Sequence, residues 1–238
     1  MKLGDFKDRY KGHRVFFIGN GPSIKETPLE KLKDQYCFGT NRVIQLYEHT
    51  SWRPTHYIAV TGENCRLADW YLDMVKVIDT GIPCFLPRQY YLGQTGDWFY
   101  PPMRHNTMLL NLIKYYDNDG KPIPGWSTDV EDRIIQTTSV STSFLQLAAW
   151  MGFNPIYLLG CDLNYKAFDG GKDPNHWKDD YEKERTQEAA DRDNNNMQMA
   201  HKEIRKITAQ LGIEIYNATI GGSLEAYPRR DIYKVLNG

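Results

Sequence analysis

Residues 14–25 of the chain read RVFFIGNGPSIK. The four apolar residues at 15–18 predict a buried strand, and the small residues after them predict a tight turn. Gly19 and Gly21 would let the backbone approach another group closely and point amide N–H groups at an anion. The turn lacks the lysine of a P-loop, and Pro22 removes one N–H donor. From the residues alone, a site for a nucleotide phosphate and a plain strand-to-helix turn both stay open.

Similar apolar runs recur along the 238 residues and alternate with segments of helical spacing. Strands are predicted at 15–18, 36–41, 55–62, 82–87, 155–163 and 213–218. Helices are predicted at 28–34, 42–49, 63–79, 107–116, 139–152, 197–211 and 229–236. This alternation predicts an α/β fold: a Rossmann-like, mainly parallel sheet with helices on both faces.

The whole chain, residues 1–238, is expected to form a single nucleotide-binding domain. Residues 88–135 are rich in aromatic and turn residues, and we expect an irregular insertion there. Residues 164–196 have almost no aliphatic content, which predicts a lid that is helical in its later part and mobile without ligand.

Composition limits the partners and the compartment. With 29 basic and 30 acidic residues the net charge is −1, which argues against a non-specific nucleic-acid binder. The absence of a long apolar run and of a secretory signal predicts a cytoplasmic protein with at most peripheral membrane contact. Cysteines without C-x-x-C spacing indicate buried thiols in a reducing compartment. They are Cys37, Cys65, Cys84 and Cys161.

Ligands of parallel sheets bind beyond the carboxyl ends of the strands, so the polar residues at those ends are the first candidates. They lie at 20–23, 40–41, 61–64 and 162–165. The hydroxyl-rich run QTTSVSTS at 136–143 opens a predicted helix and suits an anion. Ordinary N-capping would need only one of these hydroxyls, and that alternative stays open.

Three further polar residues are candidates for the chemistry. His176 follows the strand end at Asp162 and lies in the segment expected to close over a site. A surface histidine without a role is the alternative interpretation. Arg104 and Tyr165 are the candidate substrate contacts, whereas His201 is interpreted only as a residue on a helix face.

Four stretches together resemble a known superfamily: IGNGPSIKE, FGTN, TSVSTSFLQLAAWMGFNPIYLLGCDLNY and the downstream NHW. One arm comprises the Campylobacter-type sialyltransferases of glycosyltransferase family 42. The other comprises proteins similar to the archaeal 6-hydroxymethylpterin pyrophosphokinase, MptE-like proteins. The resemblance covers roughly residues 14–62 and 137–228 and is more specific for the superfamily than for the reaction.

The resemblance implies roles for individual residues. Asn20 and Asn41 match asparagines that contact a nucleotide sugar, and His176 matches a catalytic base. Val140 and Ser141 depart from the usual Ser-Gly after the residue matched by Ser139. The implied nucleotide- and donor-binding residues are Gly19, Asn20, Gly21, Pro22, Ser23, Asn41, Thr61, Gly62, Ser139, Ser141, Gly160 and Asp162.

The function implied is an inverting, sialyltransferase-like glycosyltransferase of polysaccharide biosynthesis that requires no cofactor. Its partners would be a cytidine-type nucleotide-sugar donor and a hydroxyl of a surface glycan, and the family's tendency to assemble makes a homo-oligomer one expectation.

The first alternative is pyrophosphokinase-like diphosphate transfer from ATP with Mg²⁺, with Glu63 and Asp162 as metal ligands. The acidic run of that arm is reduced here to VTGEN, residues 60–64, which disfavours it. The second alternative is a nucleotide-binding protein without catalysis.

Overall fold

A computed structural model describes residues 1–60, 68–88, 90–92, 97–137, 139–182 and 184–237. Within these residues the strands of the main sheet are β1 Val15–Ile18, β2 Cys37–Thr40, β3 His56–Ile58, β4 Cys84–Pro87, β7 Thr107–Leu110, β12 Ile156–Leu159 and β13 Ile215–Asn217. The shorter strands are β5 Tyr90–Leu92, β6 Asp97–Phe99, β8 Leu112–Ile113, β9 Tyr115–Tyr116, β10 Pro122–Ile123 and β11 Ile134–Ile135. The α-helices are α1 Ala68–Ile78, α2 Val140–Trp150, α3 Gln187–Gln210 and α4 Ile232–Asn237. Short 3-10 helices span Leu3–Phe6, Pro22–Glu26, Leu29–Leu32 and Val43–Glu48.

The main sheet has the strand order β13-β12-β1-β2-β3-β4-β7, and all neighbouring strands run parallel. From β1 the chain builds the sheet outwards through β2, β3, β4 and β7. It then returns to add β12 and β13 on the other side of β1. The strand order therefore reverses between β1 and β12, and such a switch point is where open α/β sheets leave a crevice for ligands.

Both faces of the sheet are covered, because alternate residues of each strand point to opposite sides. On one face Val15 and Phe17 of β1 pack in a cluster with residues of α2 and α3, among them Phe144. On the other face Phe16 and Ile18 pack in a second cluster with α1 and the 3-10 helices. The predicted Rossmann-like α/β fold is confirmed.

The helix predicted at 107–116 is wrong. Thr107–Leu110 forms strand β7 at the edge of the main sheet, where Met108 and Leu110 are buried and Leu109 is half-buried. So short an apolar run cannot separate a helical period from a strand period. Part of the expected insertion at 88–135 thus belongs to the sheet. The rest includes three two-stranded sheets, β5–β6, β8–β11 and β9–β10.

Other predicted boundaries also shift. The segments predicted as helices at 28–34 and 42–49 contain only 3-10 helices. Helix α3 begins at Gln187 rather than at 197, because the Thr186 side chain caps it by accepting a hydrogen bond from the backbone N–H of Ala189. The later part of the lid segment is therefore helical, as predicted.

The prediction of buried thiols is confirmed for the three described cysteines, Cys37, Cys84 and Cys161, which are buried and free. Cys65 lies outside the described residues. No helix in the described part of the chain combines the length and the apolar character needed to cross a bilayer.

Candidate functional site

A cleft opens at the switch point, beyond the carboxyl ends of β1, β2 and β12. The N-terminus of α2 forms one wall, and the segment 164–181 lies over it. The cleft brings together many of the residues predicted from the sequence: Gly19, Asn20, Gly21, Asn41, Ser139, Ser141, Gly160, Asp162, Tyr165 and His176.

Other predicted residues lie elsewhere. Pro22 and Ser23 do not line the cleft. Arg104 precedes β7, at the amino edge of the sheet, where it forms an exposed ion pair with Asp79 at 3.4 Å. Thr61, Gly62 and Glu63 lie outside the described residues.

The glycines of the first turn serve close contact with the neighbouring strand rather than anion binding. The Gly19 N–H donates to the carbonyl of Leu159 at 2.8 Å, and the Gly21 N–H donates to the carbonyl of Gly160 at 3.1 Å. A Cβ at Gly19 would collide with the Gly160 carbonyl oxygen, and one at Gly21 would collide with the Asp162 carboxylate. The last residue of β12 and the glycine after it already accept hydrogen bonds from both amides, which favours the plain strand-to-helix turn over a phosphate site at these two N–H groups.

Asp162 and Ser23 bind each other. The Ser23 hydroxyl donates to the Asp162 carboxylate at 2.8 Å, and the Ser23 backbone N–H donates to its other oxygen at 3.3 Å. Burial raises the pKa of Asp162 above its ordinary value, against the lowering effect of the Ser23 hydrogen bonds and of His176. The carboxylate thus ties the turn after β1 to the end of β12.

Asn20 and Asn41 line the cleft, and each has a buried side-chain oxygen without a hydrogen-bond partner among the described residues. The Asn20 Nδ2 donates to the Thr40 hydroxyl at 3.0 Å and to the Thr40 carbonyl at 3.1 Å, which fixes the orientation of the amide. Asn20 is 8% exposed, and its Oδ1 has no hydrogen-bond partner among the described residues. The Oδ1 of Asn41 is likewise buried and unpaired. A buried acceptor without a partner costs about 1–3 kcal/mol, so both oxygens suit a ligand that carries O–H or N–H groups.

The N-terminus of α2 also lines the cleft. Ser139 is its N-cap and accepts a hydrogen bond from the Ser141 backbone N–H at 3.3 Å. The hydroxyls of Ser139 and Ser141 are 2.8 Å apart, and Ser141 also contacts the ring of His201. Ordinary capping needs one hydroxyl, and the second one, on Ser141, links Ser139 to His201.

His176 forms a pair with Asp173 that the sequence had not revealed. The His176 Nδ1 lies 2.8 Å from the Asp173 carboxylate, which also accepts the backbone N–H groups of Asn175 and Glu182. Burial would raise the pKa of Asp173, but these hydrogen bonds and the His176 charge outweigh it, and the pKa lies below its ordinary value. An ionised carboxylate keeps the proton on Nδ1, so Nε2 of a neutral ring is left as a proton acceptor.

Tyr181 fastens this pair to the sheet. The Tyr181 ring stacks on the His176 ring with the two centroids 4.1 Å apart. The Arg42 guanidinium lies over the Tyr181 ring, 5.6 Å from its centroid. Arg42 follows β2 and forms a buried ion pair with Asp73 of α1 at 2.7 Å. Arg42, Asp73 and Tyr181 are far apart along the chain, so no local sequence pattern predicts that they meet.

One group of side chains in the described residues has the spacing of a metal site: Asp173, His176 and Glu182, with ligand atoms within 4.8 Å of one another. Asp173 already accepts three hydrogen bonds, and Glu182 forms an ion pair with Arg185 at 2.9 Å. A cation would have to replace the His176–Asp173 hydrogen bond. These three side chains therefore suit a hydrogen-bonded acid–base pair better than a metal centre.

The free space in the cleft is about 80 Å³. That is room for several water molecules, but it is well below the roughly 300–1,000 Å³ of pockets that hold drug-sized ligands. Tyr165, Asn175, His176 and Tyr181 of the covering segment line this space. A large ligand therefore requires the segment to move away.

The fold and the cleft define a Rossmann-like α/β protein with a covered site at its switch point. No protein-family model and no curated protein sequence matches the chain. A solved structure, the MAf glycosyltransferase from Magnetospirillum magneticum AMB-1, resembles it with a TM-score of 0.53 over 96% of this chain, at 14% identity. The chain spans 37% of the length of that protein. At this identity the likeness shows a shared fold.

We expect Gly21→Ala to lower the free energy of unfolding by about 1–3 kcal/mol, because an added methyl group in a packed site forces its neighbours to shift. The neighbour here is the Asp162 carboxylate, held in place by Ser23. Urea denaturation measures the change. Gly171→Ala is the matched control, since a Cβ there meets nothing within 4 Å.

The double variant Gly21→Ala/Asp162→Ala tests the cause of this loss. Removing the carboxylate relieves the collision, so the two effects should add to less than the sum of the single variants. A Gly21→Ala protein as stable as the wild type would contradict the proposed contact.

Proposed function

We propose that the protein is an inverting glycosyltransferase that moves a sugar from a cytidine-type nucleotide sugar to a hydroxyl of a surface glycan. The observation that carries the proposal is the His176–Asp173 pair, which shares one cleft with the unpaired oxygens of Asn20 and Asn41 and with the N-terminus of α2. The fold shared with a glycosyltransferase supports the transferase class. The resemblance to the sialyltransferases supports the type of donor.

His176 acts as the general base. Nε2 takes the proton of the acceptor hydroxyl while the hydroxyl oxygen forms a bond to the anomeric carbon of the donor. The bond from that carbon to the phosphate oxygen breaks, and its electron pair leaves with the nucleoside monophosphate. Attack from the face opposite the leaving group inverts the configuration. Asp173 stabilises the imidazolium that forms and holds the ring in place.

Nucleotide recognition is divided between two walls of the cleft. Asn20 and Asn41 accept hydrogen bonds, which suits ribose hydroxyls or the exocyclic amino group of cytosine. The Ser139 hydroxyl, at the positive N-terminus of α2, suits the phosphate. A monophosphate leaving group develops less charge than a polyphosphate, so these groups can suffice without a metal ion.

The covering segment admits the donor by moving. In the described state Tyr165 and Tyr181 line a cleft whose free space is well below that of pockets for ligands of this size. Asn194 of α3 binds both the N–H and the carbonyl of Tyr165, each at 2.9 Å, and Arg42 binds the carbonyl of Tyr181 at 3.3 Å. Displacing and then restoring these contacts would couple donor binding to the placement of His176.

We expect CMP to stabilise the wild-type protein against thermal unfolding, by about 2.7 kcal/mol at 100 times its Kd. Asn20→Ala should weaken CMP binding by about 1–3 kcal/mol, the loss for a buried hydrogen-bond partner. Calorimetric titration measures both proteins. Asn195→Ala, on the exposed face of α3, is the matched control and should bind as the wild type does. Unchanged CMP affinity in a folded Asn20→Ala protein would exclude this site.

Release of CMP from CMP-sialate, with and without a glycan acceptor, tests the chemistry. We expect His176→Ala to lower this rate by about 100- to 10,000-fold, the usual contribution of a general base, while CMP still binds. Asp173→Asn should also lower the rate of CMP release, because a neutral amide favours a proton on Nδ1 of His176 less than a carboxylate does. His105→Ala, at an exposed position, is the control. EDTA should leave the wild-type rate unchanged.

Two results would contradict the proposal. Full activity of His176→Ala would remove the base. Activity that is lost in EDTA, restored by Mg²⁺ and driven by ATP would move the assignment to diphosphate transfer.

A further inference from the structure

A buried chain of hydrogen bonds runs from the core to the cleft behind the α2 wall. His201 of α3 is 0% exposed, and its Nε2 lies 3.0 Å from the Ser141 hydroxyl. Its Nδ1 lies 3.0 Å from the hydroxyl of Tyr227, which follows β13. Ser141 continues the chain to Ser139, which lines the cleft.

The direction of donation along this chain follows from the groups at its buried end. Tyr227 is 2% exposed, and its hydroxyl has no acceptor among the described residues other than His201. The Tyr227 O–H must therefore donate to Nδ1, since a buried donor without a partner is costly. Burial lowers the pKa of His201 to about 4, so the ring is neutral at pH 7 and carries its single proton on Nε2.

The same reasoning continues to the cleft. Nε2–H donates to the Ser141 oxygen, so the Ser141 hydroxyl hydrogen is free to donate to Ser139. The Ser139 oxygen then accepts from the hydroxyl and from the backbone N–H of Ser141. Its own hydrogen has no acceptor among the described residues and is left for the cleft.

We propose that His201 and Tyr227 are positioning residues that fix this direction of donation, so that Ser139 presents a hydroxyl hydrogen to an anionic oxygen of the ligand. The inference rests on the proposed function in taking that oxygen to be the phosphate of the nucleotide. Asn20 supplies a second observation, because it lines the same cleft and its buried Oδ1, which has no partner among the described residues, would repel an anion. The phosphate therefore lies at the α2 wall, and the hydroxyls or the base of the nucleotide lie at the Asn20 wall.

The tautomer of His201 tests the direction of the chain without any ligand. In ¹⁵N NMR spectra of the wild-type protein, Nε2 should carry the proton and Nδ1 should not, at pH 7 and down to pH 5. Tyr227→Phe removes the donor to Nδ1, so the two tautomers should become mixed. An Nδ1–H tautomer in the wild type would overturn the inference.

Binding of CMP and of uncharged cytidine tests the consequence. Tyr227→Phe should weaken CMP binding about two- to tenfold, the range for one hydrogen bond, and leave cytidine binding unchanged. Tyr216→Phe is the matched control, because the Tyr216 hydroxyl bonds only to the exposed Glu214 among the described residues. His201→Gln, which keeps a donor and an acceptor, should retain more CMP affinity than His201→Phe.

The remaining outcomes separate the two proposals. An equal loss for CMP and cytidine, or no loss in Tyr227→Phe, would show a merely structural role for His201 and Tyr227. Wild-type protein that binds neither ligand would refute the proposed function and the phosphate assignment, whereas the His201 tautomer would still decide the direction of the chain.

Discussion

The site depends on one close contact, between the turn after β1 and the end of β12. A glycine follows each strand, and the two segments approach so closely that a side chain at Gly19 or Gly21 would collide with Gly160 or Asp162. The Asp162 carboxylate fills the remaining gap and accepts two hydrogen bonds from Ser23. The contact lies where the strand order reverses, which is the position where a parallel sheet leaves room for a ligand. It therefore forms the floor of the cleft.

The cleft brings together groups of opposite hydrogen-bonding character. Asn20 stands between Gly19 and Gly21, so the position of its side chain is set by the backbone contact and by Thr40. The α2 wall offers donors, whereas the asparagine wall offers acceptors. A nucleoside phosphate has the complementary arrangement, with an anion at one end and hydroxyl or amino groups at the other. The His176–Asp173 pair lies on the covering segment, and His176 lines the cleft.

The sequence was sufficient where local rules act. Strand β1 is an uninterrupted apolar run, Ser139 caps α2 as its hydroxyl-rich start predicts, and Asn20, Asn41 and His176 meet because the carboxyl ends of parallel strands share one edge. The resemblance supplied the role that we propose for His176, but no local pattern pointed to its partner Asp173.

The sequence was insufficient where distant residues pair. Ser23 binds Asp162 rather than the cleft, and His201 forms part of a buried chain, because contacts across the fold leave no periodic signal. Arg104 lies at the amino edge because Thr107–Leu110 is a strand and not a helix.

A crystal structure of the protein with CMP tests the central claim most directly. We expect the nucleotide between the two walls, with its phosphate at Ser139, a hydroxyl or amino group donating to the Asn20 Oδ1, and Tyr181 displaced from the cleft or repacked against the ligand. Nucleotide bound elsewhere on the molecule, or its phosphate at the Asn20 wall, would contradict the account.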